Sequence, residues 1–201
     1  MKNKIILGFT VIGTIALSAF TIGNETYKVD TKASSLEWTG KKLTGEHTGT
    51  IHITSGSVEV QNNMIKEGKF EIDMTSIENK DLTGEWKGKL EDHLKSVDFF
   101  DTGKFPKATF IITSVKPLSV PNAGGFTHTV KGNLTIKDKT NEISFDAIMK
   151  IDATKVACVG TATVDRTKFD VKYHSKTFFA EIGDKMIYDE FQLKFNITAI
   201  K

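Results

Sequence analysis

Apolar and polar residues alternate along most of this chain. Phe70, Ile72 and Met74 are separated by Glu71 and Asp73; Ile143, Phe145, Ala147, Met149 and Ile151 alternate with Ser144, Asp146 and Lys150; Phe191, Leu193, Phe195, Ile197 and Ala199 alternate with Gln192, Lys194, Asn196 and Thr198. A period of two puts one set on one face of extended backbone, so each run reads as an antiparallel strand with a single buried face. Phe126, Val130, Leu134 and Ile136 share a parity, and Tyr27/Val29, Ile51/Ile53, Val58/Val60 and Phe110/Ile112 read the same way. Turn signals separate the runs: Asn62-Asn63, Gly124-Gly125 and the polar stretch 137–142. The count is eight or nine strands.

Strands this long and this regular need partners for their edges, and closing the sheet into a barrel removes the edges. An eight-stranded barrel either fills its interior with side chains or holds one small ligand. Small residues cluster at Ala157, Cys158, Gly160 and Ala162, which fits a cavity or the close packing of a neighbouring segment equally well.

One segment breaks the period. Leu82, Trp86, Leu90, Leu94 and Val97 recur every three or four residues, the face of a helix. Gly84 and Gly88 each weaken it by about 1 kcal/mol, so the firm helix is expected over Lys89–Ser96, inserted after about the fourth strand. After it come Phe99, Phe100 and Asp101, Gly103 and Pro106. Phe99 and Phe100, on extended backbone, are expected to point to opposite sides, one under the helix and one into the barrel, as an end-plug.

Composition bounds the rest. The chain has 201 residues, 39% hydrophobic and 26% charged, enough for one domain with its own core. Residues 1–18 have the layout of a secretory signal peptide: Lys2 and Lys4, an apolar run from Ile5, then Ala16 and Ser18. Cleavage after Ser18 is expected, with a domain over 25–201 and a periplasmic or secreted location. The rival is an uncleaved anchor over Ile5–Ile22. Without residues 1–18 the chain carries 25 basic and 25 acidic side chains, which gives no electrostatic footprint for nucleic acid.

Candidate chemistry is sparse. The lone cysteine, Cys158, lies in an apolar strand and reads as a small hydrophobe. The histidines at 47, 52, 93, 128 and 174 have no spacing typical of a metal site. His47 and His52 differ in parity, and for His93, beside Asp92, a capping or corner hydrogen bond is expected. No nucleophile elbow, phosphate loop or paired carboxylates occur, so neither catalytic residues nor a metal nor a cofactor is expected. Arg166 reads as a surface ion pair or as a cation at the barrel mouth; Tyr173, Phe178 and Phe179 line that mouth or plug it.

Several blocks resemble the YceI-like lipid- and polyisoprenoid-binding family: residues 93–100, 105–110, 132–143 and 165–173, with 27–42 and 68–77 fitting too. The resemblance covers nearly all of 27–200. Two positions depart from the family pattern: Ala33, where many members have histidine, and Asp170, where many have glycine. The resemblance implies an exported, all-β, lipocalin-like barrel of eight antiparallel strands with one short helix. Its partner would be a long apolar chain, an isoprenoid or fatty-acid derivative, held in the interior of a non-enzymatic carrier. Apart from the resemblance, a homodimer is among the partners considered. The expected lining is Trp38, Phe70, Ile72, Phe110, Ile112, Leu134, Ile136, Phe145, Ala147, Met149 and Phe195, with Phe99, Phe100, Arg166, Tyr173 and Phe178 at the mouth. No integral membrane segment is expected after cleavage. A filled structural barrel and, less favoured, a lipid hydrolase or isomerase using His93 or His174 are the alternatives.

Overall fold

The structure, a computed structural model, describes residues 23–120 and 124–201; the expected signal peptide lies outside them. In chain order it consists of β1 (Glu25–Val29), β2 (Ser35–Lys42), β3 (Gly45–Gln61), β4 (Met64–Asn79), α1 (Gly84–Lys95), β5 (Lys107–Pro117), β6 (His128–Ile136), β7 (Lys139–Ile151), β8 (Lys155–Asp165) and β9 (Ile187–Ile200). Each strand from β2 to β9 pairs antiparallel with its neighbours, and β2 pairs with β9, closing a barrel.

Nine strand segments make eight staves. β1 and β2 occupy the same place between β3 and β9, one after the other: Tyr27 lies opposite Val58 and Val29 opposite Ala199, whereas Leu36 lies opposite Ile51 and Phe195. The break at residues 30–34 has its polar groups satisfied. The Asp30 carboxylate accepts the N–H groups of Lys32 and Ala33, and the Ser34 hydroxyl exchanges hydrogen bonds with the Thr198 backbone on β9.

The runs Ile51/Ile53 and Val58/Val60 belong to one strand of 17 residues. Their parities differ because the register to β4 shifts between Ile53 and Ser55. A bulge inserts one residue and re-aims the rest of the strand, so both pairs face inward. The β6–β7 turn is shorter than residues 137–142. Only Lys137 and Asp138 turn, both at positive φ (49° and 55°), and Lys139 already pairs with Ile136. That is the tight hairpin whose twist matches its strands.

The helix also differs from the expectation. It begins at Gly84, not Lys89, with Thr83 at its N-cap. Glu85 pairs with Lys89 at 2.6 Å and Lys87 with Glu91 at 3.8 Å, i,i+4 contacts that support the glycine-weakened first turns. Its periodic face is not buried throughout. Leu90 and Leu94 turn to the barrel, but Trp86 is 68% and Val97 74% exposed. Residues 97–100 form a turn rather than extended backbone, so Phe99 and Phe100 are not on opposite sides: their rings touch edge to face at 5.8 Å.

Candidate functional site: a two-lobed apolar bore

The inward faces of the strands do not meet at the barrel axis. They enclose two adjoining cavities, of about 150 Å³ under α1 and about 100 Å³ toward the far end. A void of the larger size has room for a benzene-sized guest. The two share Leu36, Ile72, Leu134 and Leu193, from β2, β4, β6 and β9. We call the first the upper lobe, the second the lower lobe, and the four shared side chains the waist.

The lower lobe is lined by apolar side chains alone, Cys158 included. Phe70, Phe110, Phe145 and Phe195 form a chain of rings around it, with centroids 6.3, 5.7 and 5.1 Å apart. Beyond it Tyr27, 1% exposed, packs with Val58, Val60 and Ala199, and its hydroxyl donates to the Asp152 carbonyl at 3.0 Å. Burial pushes the Cys158 thiol up to about 12, so it stays neutral and unreactive at ordinary pH.

The upper lobe has an apolar wall and a polar rim. The wall includes Trp38, Leu94, Phe99, Phe100, Ile136 and Phe191; the rim includes Lys41, Lys42, His47, His93 and Glu190. Trp38 lies against its cross-strand partner Gly49, where a side chain of any size would collide with the indole and with the Glu78 carbonyl. The close approach lays the ring along the wall. Its Nε1 is buried with no hydrogen-bond partner. His47 Nδ1 lies 2.8 Å from Asp81 Oδ2. Desolvation alone would raise the Asp81 carboxyl, but hydrogen bonds from His47, the Thr48 N–H and Asn79 outweigh it and hold it below the usual aspartate range.

Arg166 is not a surface ion pair. It is 3% exposed and borders the upper lobe. Its guanidinium donates to the carbonyls of Val171, Ile187 and Tyr188 at 2.9–3.1 Å, with Asp189 Oδ1 at 3.5 Å. Its face lies 5.6 Å from the centre of the Phe99 ring. Those carbonyls tie the turn after β8 to the start of β9, so the cation shapes the mouth.

The expected lining is thus largely brought together. Trp38, Phe99, Phe100, Ile136 and Arg166 border the upper lobe; Ile72 and Leu134 form half the waist; Phe70, Phe110, Ile112, Phe145, Met149 and Phe195 border the lower lobe. Ala147, Tyr173 and Phe178 border neither. Ala147 is fully buried, and the Phe195 ring packs over Gly160, its partner on β8. The small residue therefore answers a bulky neighbour, while Cys158 and Ala162 on the same inward face of β8 do open onto the cavity. Phe178 and Phe179 are about half exposed, with the Lys172 ammonium 5.1 Å above the Phe178 ring. Tyr173 stacks on His174 and meets the edge of His93 at 4.5 Å. His93 works through that aromatic packing; it is its backbone carbonyl that accepts from Ser96.

Asn79 was not singled out from the sequence. It is fully buried at the end of β4, donates to the Thr48 carbonyl and Asp81, and accepts the Leu82 N–H. Its own N–H donates to Glu91 on α1 at 2.8 Å. The signal was the Asn-x-Asp turn spacing of residues 79–81, which the strand pattern overshadowed.

The chain matches the YceI-like domain over residues 27–199. It belongs to the YceI-like family. A UPF0312 protein of Yersinia enterocolitica is 30% identical over 152 residues, 73% of this chain and 72% of that one. A UPF0312 protein of Staphylococcus aureus is 34% identical over 91 residues, 42% of this chain and 47% of that one. Among solved structures, Burkholderia cenocepacia BcnA superposes with a TM-score of 0.66 at 22% identity, covering 85% of this chain and 99% of its own. A polyisoprenoid-binding domain from Saccharophagus degradans does so at 0.62 and 14%, covering 87% and 97%. At these identities the likeness is one of fold: the YceI-like barrel. Among the described residues no helix is long and apolar enough to cross a membrane, and no three His, Cys, Asp or Glu side chains gather as metal ligands.

Proposed function

We propose that this YceI-like protein is an exported, non-enzymatic carrier that holds a long apolar chain, polyisoprenoid or fatty-acid-like, along the barrel axis. The observation that carries the reading is the bore itself: two adjoining apolar cavities running from the helix-covered end to the Tyr27 end. A barrel whose only task were structural would gain about 25 cal/mol for each Å² it packed shut and would lose contacts by leaving voids. Solvent exclusion is a sufficient mechanism, since each buried methylene contributes about 0.8 kcal/mol, less the cost of association and ordering. The polyisoprenoid-binding domain of the same fold favours a chain-like ligand over a compact one.

The test is organic extraction of the purified protein, prepared from its native host and from a heterologous one, followed by mass spectrometry. A long-chain lipid at near one per protein is expected from the native host. Repeated preparations with no stoichiometric lipid, and no uptake of added chains, would leave a ligand-free barrel.

A further inference from the structure

We infer that the waist is a specificity gate, which fixes the direction in which a chain enters and the length that is rewarded. The inference rests on the carrier reading and deepens it. The two lobes differ in chemistry. The lower lobe offers no charged or hydrogen-bonding side chain, apart from the neutral thiol of Cys158, and beyond it the buried Tyr27 packs with Val58, Val60 and Ala199. The upper lobe ends in Lys41, Lys42, His47 and Glu190. A polar end group in the lower lobe would be desolvated with nothing to replace its water; at the upper rim it keeps polar neighbours. The apolar terminus therefore passes the waist and the polar end stays under α1.

The waist is built by side chains from four of the eight staves. Leu36, Ile72, Leu134 and Leu193 stand where the two cavities adjoin, and three of them are at least nine-tenths buried. On either side, rings lie close over glycines of neighbouring strands: Trp38 over Gly49 in the upper lobe, Phe110 over Gly132 and Phe195 over Gly160 in the lower. A short chain fills the upper lobe and stops. A longer one gains further burial only by threading past these four side chains, so the waist decides which added methylenes count.

The experiment uses the mature protein, stripped of lipid and titrated with saturated fatty acids from octanoic to stearic. Wild-type affinity is expected to rise about fourfold per added methylene across the series. In Leu193→Phe, which narrows the waist, the rise should stop at the medium chains, so that stearic acid loses far more affinity than octanoic acid does. Should that variant prove unfolded by its denaturant midpoint, Leu193→Ala decides: a wider waist should improve binding of methyl-branched phytanic acid relative to palmitic acid. Direction is read separately. Trp86→Phe leaves Trp38, which borders the upper lobe alone, as the sole tryptophan. Palmitic acid brominated beside its carboxyl should quench Trp38 more than palmitic acid brominated at its terminal methyl. Parallel chain-length slopes in wild type and Leu193→Phe, no change in preference in Leu193→Ala, or stronger quenching by the terminal bromine would overturn the gate while leaving the carrier intact. A wild type that binds no chain of any length would overturn the carrier reading and the gate with it.

Discussion

Asp170 shows how one residue records a backbone requirement. It closes the short 3-10 turn after β8 with φ of 60° and ψ of 30°, the left-handed region where a side chain strains the backbone and glycine does not. Glycine, which the family pattern leads one to expect here, would meet the same demand. Aspartate tolerates it better than most residues. Its carbonyl also accepts from Lys137, and its carboxylate meets Lys172 at 2.6 Å. Both partners are exposed, so the ion pair contributes little. Asp170→Gly should leave stability within about 0.5 kcal/mol of wild type, whereas Asp170→Val should cost about 1–2 kcal/mol. Denaturant midpoints of the two variants check this, and equal midpoints would show that the turn has relaxed.

At the scale of elements, α1 stands apart. None of its residues is fully buried. It is held by Leu90 and Leu94 over the upper lobe, by Glu91 on the Asn79 N–H, and by Lys87 on Glu78 at 2.9 Å. Its entry is fixed by Asp81, which grips His47, Thr48 and Asn79. Elements with so few buried contacts open first. Because the Asp81 carboxyl titrates lower in the folded protein than in the unfolded chain, its contribution is complete above the unfolded value of about 3.9 and fades as pH falls through the lower, folded one. Hydrogen-exchange protection of α1, corrected for intrinsic rate, should therefore drop below about pH 4 before that of the strands. Asp81→Ala should weaken it at neutral pH by about 1–2 kcal/mol. If α1 and the strands lose protection together in both cases, the helix is not an independent cover.

For the whole molecule, closure is the controlling fact. With every stave paired on both sides, the lower lobe has no sheet edge to open along. Cys158 reports on this. Its thiol, raised to about 12 by burial, should resist an aqueous thiol reagent at pH 8 in the native protein and react fully in denaturant. Loading with a long-chain fatty acid should slow the native reaction further, because a ligand that binds only the folded state lowers the unfolded population. The same shift has an alkaline consequence. Keeping the thiol neutral favours the folded state fully below the ordinary cysteine value of about 8.5, and that advantage is lost as pH rises toward 12. A variant with Cys158→Ala should lack this part of the alkaline destabilisation. Rapid native labelling would mean the lower lobe is open to water.

What the sequence by itself determined is the period-two patterning, and with it the strands, their inward faces and the apolar character of the interior, because alternation is a local property of extended backbone. It also marked the helical break and, through the phenylalanines of β4, β5, β7 and β9, the aromatic part of the lower-lobe wall. Tertiary structure alone decided where that wall is open. Ala147 and Ala162 are the same residue on adjacent strands, yet one is covered beside the Phe195 ring and the other faces the cavity, since free volume depends on what stands across the barrel. It likewise decided that β1 and β2 share one stave, that a bulge reverses the parity of β3, and that Arg166 is buried among three backbone carbonyls. Each of these depends on segments distant in the chain meeting in space, which no local pattern encodes.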